Sequence, residues 1–156
     1  MKDFIKYFSG LQRDFGFCNV ENGYIDPESG KLKFAPGDYG WSKRPITDQD
    51  YQDHLSGKKA IGIQPCDDDA MASMGAIDVD PKNYKTFKLQ NYLKIIEEKN
   101  LPVIPIESKS GGLHLYVFTK EKVPATLIRE FLQNLLFLFK LPSKTEIYPK
   151  QTKLGT

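Results

Sequence analysis

The chain has 156 residues, enough for one ordinary domain with a buried core and too few for two domains of typical size. Hydrophobic residues make up 40% of the sequence and charged residues 27%, a balance that excludes wholesale disorder. The formal net charge of +2 is too small to identify a nucleic-acid-binding protein by itself. The C-terminal part is nevertheless locally basic, since from residue 140 onward one acid, Glu146, accompanies four lysines: Lys140, Lys144, Lys150 and Lys153.

The sequence carries no sign of export, membrane insertion or a disulfide framework. The N-terminus lacks the apolar core of a signal peptide, and no apolar run approaches the roughly 18 residues of a membrane span. Cys18 and Cys66 stand alone, without the paired spacing of a zinc site. We therefore predict a reduced, cytoplasmic protein with no membrane partner.

Residues 1–70 predict a small αβ lobe. Its predicted elements are, in order, an amphipathic helix within residues 1–15, a hairpin with loops over residues 16–41, a helix over residues 48–56 and a strand over residues 60–64. Thr47 is placed to cap the second helix. The acidic triplet at residues 67–69 is interpreted as a solvated loop, with a metal site as the alternative.

Residues 71–156 show a regular alternation of strand and helix patterns. The predicted elements are a strand over residues 74–80, a helix over 84–99, strands over 103–107 and 113–119, a helix opened by Pro124 and a strand over 145–148. This β-α-β-β-α-β order is that of the split ferredoxin-like unit. The predicted fold class is therefore α+β, with an N-terminal αβ lobe packed on a ferredoxin/RRM-like core.

The stretch Ala76-Ile77-Asp78-Val79-Asp80 is the most informative part of the chain. Because side chains alternate along a strand, Asp78 and Asp80 leave one face together. Two neighbouring carboxylates repel each other and are stabilised by a cation such as Mg²⁺ or Mn²⁺. The alternative is a pair of solvated acids before a turn.

The usual sheet order of the ferredoxin-like unit, 4-1-3-2, sorts the side chains into two faces. The helix-covered face receives Ile77, Val79, Leu113, Leu115, Val117 and Ile147. The open face receives Asp78, Asp80, His114, Tyr116, Glu146 and Tyr148. Three acids and a histidine thus gather on adjacent strands, which favours one or two divalent cations and phosphoryl or nucleotidyl transfer.

Other residues near this face suit an anionic substrate. His114 can donate to a phosphate, and the turn at residues 108–112 offers backbone N–H groups, hydroxyls and an ammonium. The same turn could be an ordinary hairpin loop. Tyr116 and Tyr148 could stack on a base or only pack across strands.

At these residues the sequence resembles the archaeo-eukaryotic primase superfamily, whose members include primases and primase-polymerases. Three motifs carry the resemblance in order: the strand ending in Asp78-Val79-Asp80, the pattern Gly112-Leu113-His114, and Glu146 on a late strand. The stretch over residues 53–63 also looks like the segment that precedes the first motif in primase-like proteins of phages and bacterial defence gene clusters. The likeness covers about residues 45–156.

The resemblance implies a DNA-dependent primase or primase-polymerase in prokaryotic or virus-infected cytoplasm. It implies that Asp78, Asp80 and Glu146 bind catalytic Mg²⁺ or Mn²⁺. The residues that would contact the nucleoside triphosphate are Ser108, Lys109, Ser110 and His114, with Lys150 and Gln151 as further candidates for phosphate or template contact, together with Lys43 and Arg44. Single-stranded DNA would be the template. A helicase or accessory C-terminal domain is expected as a partner, because the chain stops soon after the third motif and reads as a catalytic fragment.

Two rival functions remain open on the sequence. A metal-dependent nuclease would use the same acids but would have no purpose for a triphosphate pocket. A non-catalytic module that binds single-stranded nucleic acid would not need three carboxylates on its binding face, where they repel phosphate. The paired Cys/His ligands of the zinc-bearing relatives are absent from the sequence.

Overall fold

The computed structural model describes residues 1–81, 88–108 and 111–153. The fold is mixed α/β with antiparallel sheets, and the described residues form four α-helices. The chain divides into two compact units, Met1–Gln64 and Pro65–Thr156, whereas the sequence predicts the division after residue 70. Within the described part of the chain, no helix has both the length and the apolar character needed to span a bilayer.

The first unit contains two small antiparallel sheets and two helices. Its elements are α1 (Lys2–Tyr7), β1 (Gly16–Asn19), a short 3-10 helix (Val20–Asn22), β2 (Tyr24–Ile25), β3 (Leu32–Lys33), β4 (Tyr39–Trp41), α2 (Asp48–Leu55) and β5 (Lys59–Gly62). Strands β2 and β3 form a hairpin, and the other three strands form a sheet in the order β4-β1-β5. The predicted hairpin is therefore confirmed, but the sheet joins strands that are distant in sequence.

Helix α2 begins where the sequence predicts. The Thr47 hydroxyl accepts a hydrogen bond from the Asp50 N–H, and the Asp50 carboxylate accepts one from the Thr47 N–H. This reciprocal capping box gives the Thr47 and Asp50 N–H groups side-chain acceptors at the start of the helix.

Asp50 is the buried charge of the first unit. Its side chain is only 3% exposed, and its two oxygens accept hydrogen bonds from the Arg44 guanidinium at 2.8 and 2.7 Å. The Lys59 ammonium adds a contact of 3.1 Å. The Arg44 guanidinium, followed by Thr47 and Lys59, holds the pKa of Asp50 well below its ordinary value. Arg44, which the sequence suggested for phosphate or template contact, is thus held within this network.

The described residues of the second unit form one four-stranded antiparallel sheet and two helices. Its elements are β6 (Met71–Val79), α3 (Leu89–Glu98), β7 (Ile104–Glu107), β8 (Leu113–Pro124), α4 (Ala125–Leu138) and β9 (Glu146–Tyr148). The strands lie in the order β7-β8-β6-β9. Counted within the unit and read from β9, this is the order 4-1-3-2. The predicted start of α3 falls among residues 82–87, which are outside the described residues.

The helix-covered face of this sheet carries the core. Ile77, Val79, Leu113 and Leu115 are each at most 1% exposed and pack with residues of α4. The predicted division of side chains between the two faces is confirmed by this burial. Gly75 lets α4 approach the sheet, because a Cβ at that position would overlap side chains of α4 and the backbone of β9.

Strands β6 and β8 are longer than predicted. Beyond a β-bulge between Ala72 and Met74, the pairing continues to Met71 opposite Pro124. Asp67, just before β6, is buried. Its carboxylate accepts hydrogen bonds from two backbone N–H groups and forms an ion pair of 2.5 Å with the Lys122 ammonium. The interpretation of residues 67–69 as a solvated loop is therefore wrong at Asp67.

Replacing Asp50 tests the buried network. We expect Asp50→Asn to destabilise the first unit by about 1–3 kcal/mol, because the buried side chain loses its charge-assisted hydrogen bonds with Arg44 and Lys59. Urea unfolding followed by fluorescence of Trp41, the sole tryptophan and a residue of the same unit, measures this change. The control Asp53→Asn should cost less than about 1 kcal/mol, since Asp53 makes a long 4.0 Å ion pair with Lys59 and accepts one exposed hydrogen bond from Gln49, which the asparagine oxygen can still accept. Equal costs would contradict the assignment.

The same network predicts an acid-sensitive stability. Because the pKa of Asp50 is lower in the folded unit than its ordinary 3.8, the stabilisation it provides is complete above about pH 5 and declines as the pH falls below 3.8. The unfolding free energy of the parent, measured between pH 5 and pH 2, should therefore fall more steeply than that of Asp50→Asn. Parallel curves would show that Asp50 does not carry this dependence.

Candidate active site

Three predicted site residues lie side by side across the second unit's sheet. Asp78 on β6 is in register with His114 on β8 and with Glu146 on β9. Ile106 on the edge strand β7 stands opposite His114 and completes the row. Residues that face each other on adjacent antiparallel strands share one face of the sheet. The structure thus brings together two carboxylates and an imidazole from three strands.

His114 links Asp78 to Tyr116. Its Nε2 lies 3.6 Å from Asp78 Oδ1, and both side chains are 37% exposed. Its Nδ1 lies 3.5 Å from the Tyr116 hydroxyl. Burial, and then the charge of Asp78, raises the pKa of Tyr116, which keeps its hydroxyl protonated as a donor. A tautomer with its proton on Nε2 lets His114 accept from Tyr116 and direct an N–H toward Asp78.

Glu146 has a partner at each carboxylate oxygen. Oε1 accepts from the Lys150 ammonium at 3.0 Å, and Oε2 accepts from the Tyr148 hydroxyl at 3.0 Å. These two bonds, with Lys150 the larger influence, lower the pKa of Glu146. The same carboxylate raises the pKa of Lys150. Both charges of the pair are therefore maintained at neutral pH.

A second row of side chains lies next to the first. Ala76 is in register with Tyr116 on one side and Tyr148 on the other, and Ile104 on β7 faces Tyr116. Ile104 is 51% exposed. Ala76 thus lies between two tyrosines on neighbouring strands, in the row next to the carboxylates.

The turn between β7 and β8 is closed by Ser108. Its N–H donates to the Gly112 carbonyl at 2.9 Å, and its hydroxyl accepts from the Gly112 N–H at 3.0 Å. Gly111 lies in the left-handed region with φ of 77°. The other two predicted phosphate contacts of this turn, Lys109 and Ser110, are outside the described residues.

The remaining candidates lie around the row. Asp80 follows the last residue of β6, and Gln151 is exposed directly after Lys150. Within residues 1–81, 88–108 and 111–153, no group of three or more His, Cys, Asp and Glu side chains is arranged to hold a metal ion. That all three acids share a metal therefore stays a prediction.

The donor set present does suit a hard divalent cation. Asp78 and Glu146 offer carboxylate oxygens from directly opposed positions. Glu146 already binds one cation, the Lys150 ammonium. These two carboxylates, with Asp80 two residues after Asp78, are the residues that could hold Mg²⁺ or Mn²⁺.

Sequence reasoning missed the contacts that organise the third motif. Arg129 on α4 donates from one guanidinium nitrogen to the carbonyls of Pro149 and Lys150, at 2.6 and 2.9 Å. Glu146, Tyr148 and Lys150 occupy alternate positions, which was a usable signal for contact among them. The role of Arg129 had no such signal, because it lies on a helix remote in sequence.

Comparison with known proteins assigns this region to a described family. Residues 28–155 match the family model of the Archaeo-Eukaryotic Primase domain of the TOTE conflict system, AEP-TOTE. The matched range contains every residue of the two rows described above. A search of curated proteins finds no match.

Gly112 offers a test of how closely the site's strands must approach. A Cβ at this position would lie 2.5 Å from the Val79 carbonyl oxygen and 2.7 Å from Pro81 Cδ. We expect Gly112→Ala to destabilise the second unit by about 1–3 kcal/mol, because the end of β6 must shift. Urea unfolding followed by circular dichroism measures the loss.

The neighbouring glycine is the matched control. Gly111 has open space around it, and asparagine tolerates its left-handed backbone, so Gly111→Asn should stay within about 1 kcal/mol of the parent. If the Gly112→Ala protein were as stable as this control, the close approach of β8 to the end of β6 would not be a constraint.

Proposed function

Because the chain belongs to the archaeo-eukaryotic primase domain family of TOTE conflict systems, we propose that it is the catalytic domain of a DNA-dependent primase or primase-polymerase. The family match bears out the resemblance given by the three motifs, including its defence-system type, and it implies primase-polymerase-like nucleotidyl transfer at the level of the family. The observation that carries the proposal is the register of Asp78 with both His114 and Glu146.

The proposed reaction extends a nucleic acid strand by one nucleotide. The 3′-hydroxyl of a primer, or of an initiating nucleotide, attacks the α-phosphate of a nucleoside triphosphate. A bond forms between the 3′-oxygen and the α-phosphorus, the bond from that phosphorus to the bridging oxygen breaks, and pyrophosphate leaves. The hydroxyl proton passes to solvent or a nearby base, and the template only aligns the bases.

Asp78 and Glu146, with Asp80, are proposed to hold the catalytic Mg²⁺ or Mn²⁺. When bound, the metal would lower the pKa of the attacking hydroxyl and offset negative charge on the phosphates. The strand register fixes the two opposed carboxylates before substrate arrives, so little reorganisation is needed. The exposed fraction of Asp78, 37%, leaves it accessible to an incoming ion.

The remaining candidates are proposed to bind the triphosphate. His114 lies between Tyr116 and Asp78, and its Nε2–H can turn from Asp78 to donate a hydrogen bond to a phosphate oxygen. Ser108 closes the turn between β7 and β8, in which Lys109 and Ser110 are the other two candidates. Lys150 and Gln151 follow β9 at the opposite edge of the sheet. Tyr116 and Tyr148 provide flat surfaces for a base or sugar.

Single-stranded DNA is the proposed template and nucleoside triphosphates are the proposed substrates. A helicase or another accessory domain is a proposed partner that helps to bind the template strand. The two tyrosines beside the carboxylates, Tyr116 and Tyr148, support a single-stranded template, since unpaired bases can stack on aromatic rings.

Primer extension tests the proposal directly. The parent chain should extend a labelled primer on single-stranded DNA in the presence of nucleotides and Mg²⁺ or Mn²⁺. Asp78→Asn should reduce the rate more than about 100-fold, because even residues that only support metal ligands cost 10–100-fold when removed. The control Asp69→Asn, which changes an exposed acid before β6, should retain the parental rate.

Two outcomes would favour the rival functions. Degradation of labelled DNA without nucleotides, lost in Asp78→Asn, would indicate a nuclease. Tighter binding of single-stranded DNA by Asp78→Asn, with no metal-dependent activity in the parent, would indicate a non-catalytic binding module, because removing a carboxylate weakens repulsion of phosphate.

A further inference from the structure

Glu146, one of the two acids of the row, is bound by a cation from its own chain. Lys150 Nζ lies 3.0 Å from Glu146 Oε1, while the Tyr148 hydroxyl takes the other oxygen. Glu146 also stands directly opposite Asp78 on the neighbouring strand. Two like charges in opposed cross-strand positions repel each other. The Lys150 ammonium offsets part of this repulsion in the protein without a metal.

The main chain beside Lys150 is anchored to a helix, whereas its side chain is held by contacts of its ammonium group alone. Arg129 on α4 holds the carbonyl groups of Pro149 and Lys150. The lysine side chain is a flexible stem with a rotatable ammonium, and it is 53% exposed. The ammonium also lies 5.1 Å from the centre of the Tyr148 ring, within cation–π range. The ammonium can therefore change partners without any movement of the backbone.

The ion pair is of a kind that exchanges easily. Both of its side chains are about half exposed, at 53% and 54%, and such pairs are weak and screened by salt. A divalent cation carries twice the charge of an ammonium and binds carboxylate oxygens directly. A divalent cation arriving at Glu146 would therefore release the ammonium next to the substrate's phosphates.

We propose that Lys150 is an exchangeable counter-cation of this site: Glu146 binds its ammonium in the resting protein, and the ammonium moves to a substrate phosphate when a divalent cation takes Glu146. The inference rests on the proposed function, since it requires a divalent cation at Asp78 and Glu146. The Lys150 side chain would therefore oppose metal binding before substrate arrives and support metal binding afterwards.

Manganese binding to the whole chain tests the exchange, with free Mn²⁺ followed by electron paramagnetic resonance. Without nucleotide, Lys150→Met should bind Mn²⁺ about two- to fivefold more tightly than the parent, because a weak competing ion pair is removed. Higher salt should narrow this difference. With a non-hydrolysable nucleoside triphosphate bound, the order should reverse, and Lys150→Met should hold Mn²⁺ about tenfold more weakly because a charge-assisted hydrogen bond is lost.

Two control variants separate charge from position. Lys153→Met removes the same charge from a nearby exposed lysine and should bind Mn²⁺ within about twofold of the parent in both states. Lys150→Arg keeps the charge and should resemble the parent in both states. A reversal of order seen with Lys150→Met alone supports the exchange.

Three results would overturn the inference. Equal Mn²⁺ affinity of the parent and Lys150→Met without nucleotide would show that the ammonium does not compete. Tighter binding by Lys150→Met in both states would show that Lys150 only shields Glu146 and never moves to phosphate. If Asp78→Asn bound Mn²⁺ as well as the parent, the metal site itself would be wrong, and the proposed function would fail together with the inference.

Discussion

The candidate site depends on the register of one central strand with both of its neighbours. Strand β6 pairs with β8 and β9 so that Asp78 faces His114 and Glu146. Because side chains alternate along a strand, a slip of one residue would turn Asp78 into the core and Ile77 or Val79 out to solvent. The buried side of the same strands prevents this slip, since Ile77 and Val79 are fully buried against α4. The polar row is thus positioned by apolar packing on the opposite face.

The two units compensate negative charge in different ways. In the first unit, Asp50 is buried and bound by Arg44 and Lys59, so removing its charge would disrupt a buried hydrogen-bond network. In the second unit, Glu146 and Lys150 are half exposed, so their pairing contributes little to stability and can be exchanged for another partner. Burial therefore distinguishes a structural charge from one that remains available for binding.

The turn at Gly112 and the helix contact of Arg129 each restrain a strand next to the row of Asp78 and Glu146. Gly112 has no space for a side chain, so β8 comes close to the end of β6 beside Asp78. Arg129 ties the chain after β9 to α4, next to Glu146. Each of these features narrows the freedom of a strand end. Fixed strand ends allow short side chains such as aspartate to reach a shared ligand.

The sequence by itself determined the order of elements in the second unit, the two faces of its sheet and the three family motifs, because alternation and turn residues act over a few positions. It did not determine that Asp50 and Asp67 are buried, that β1 pairs with both β4 and β5, or that Lys150 and Arg129 organise the region around Glu146. Those features join residues that local patterns do not relate. Only the folded chain decides them, because the burial of a charge and the identity of its partner depend on which distant segments pack around it.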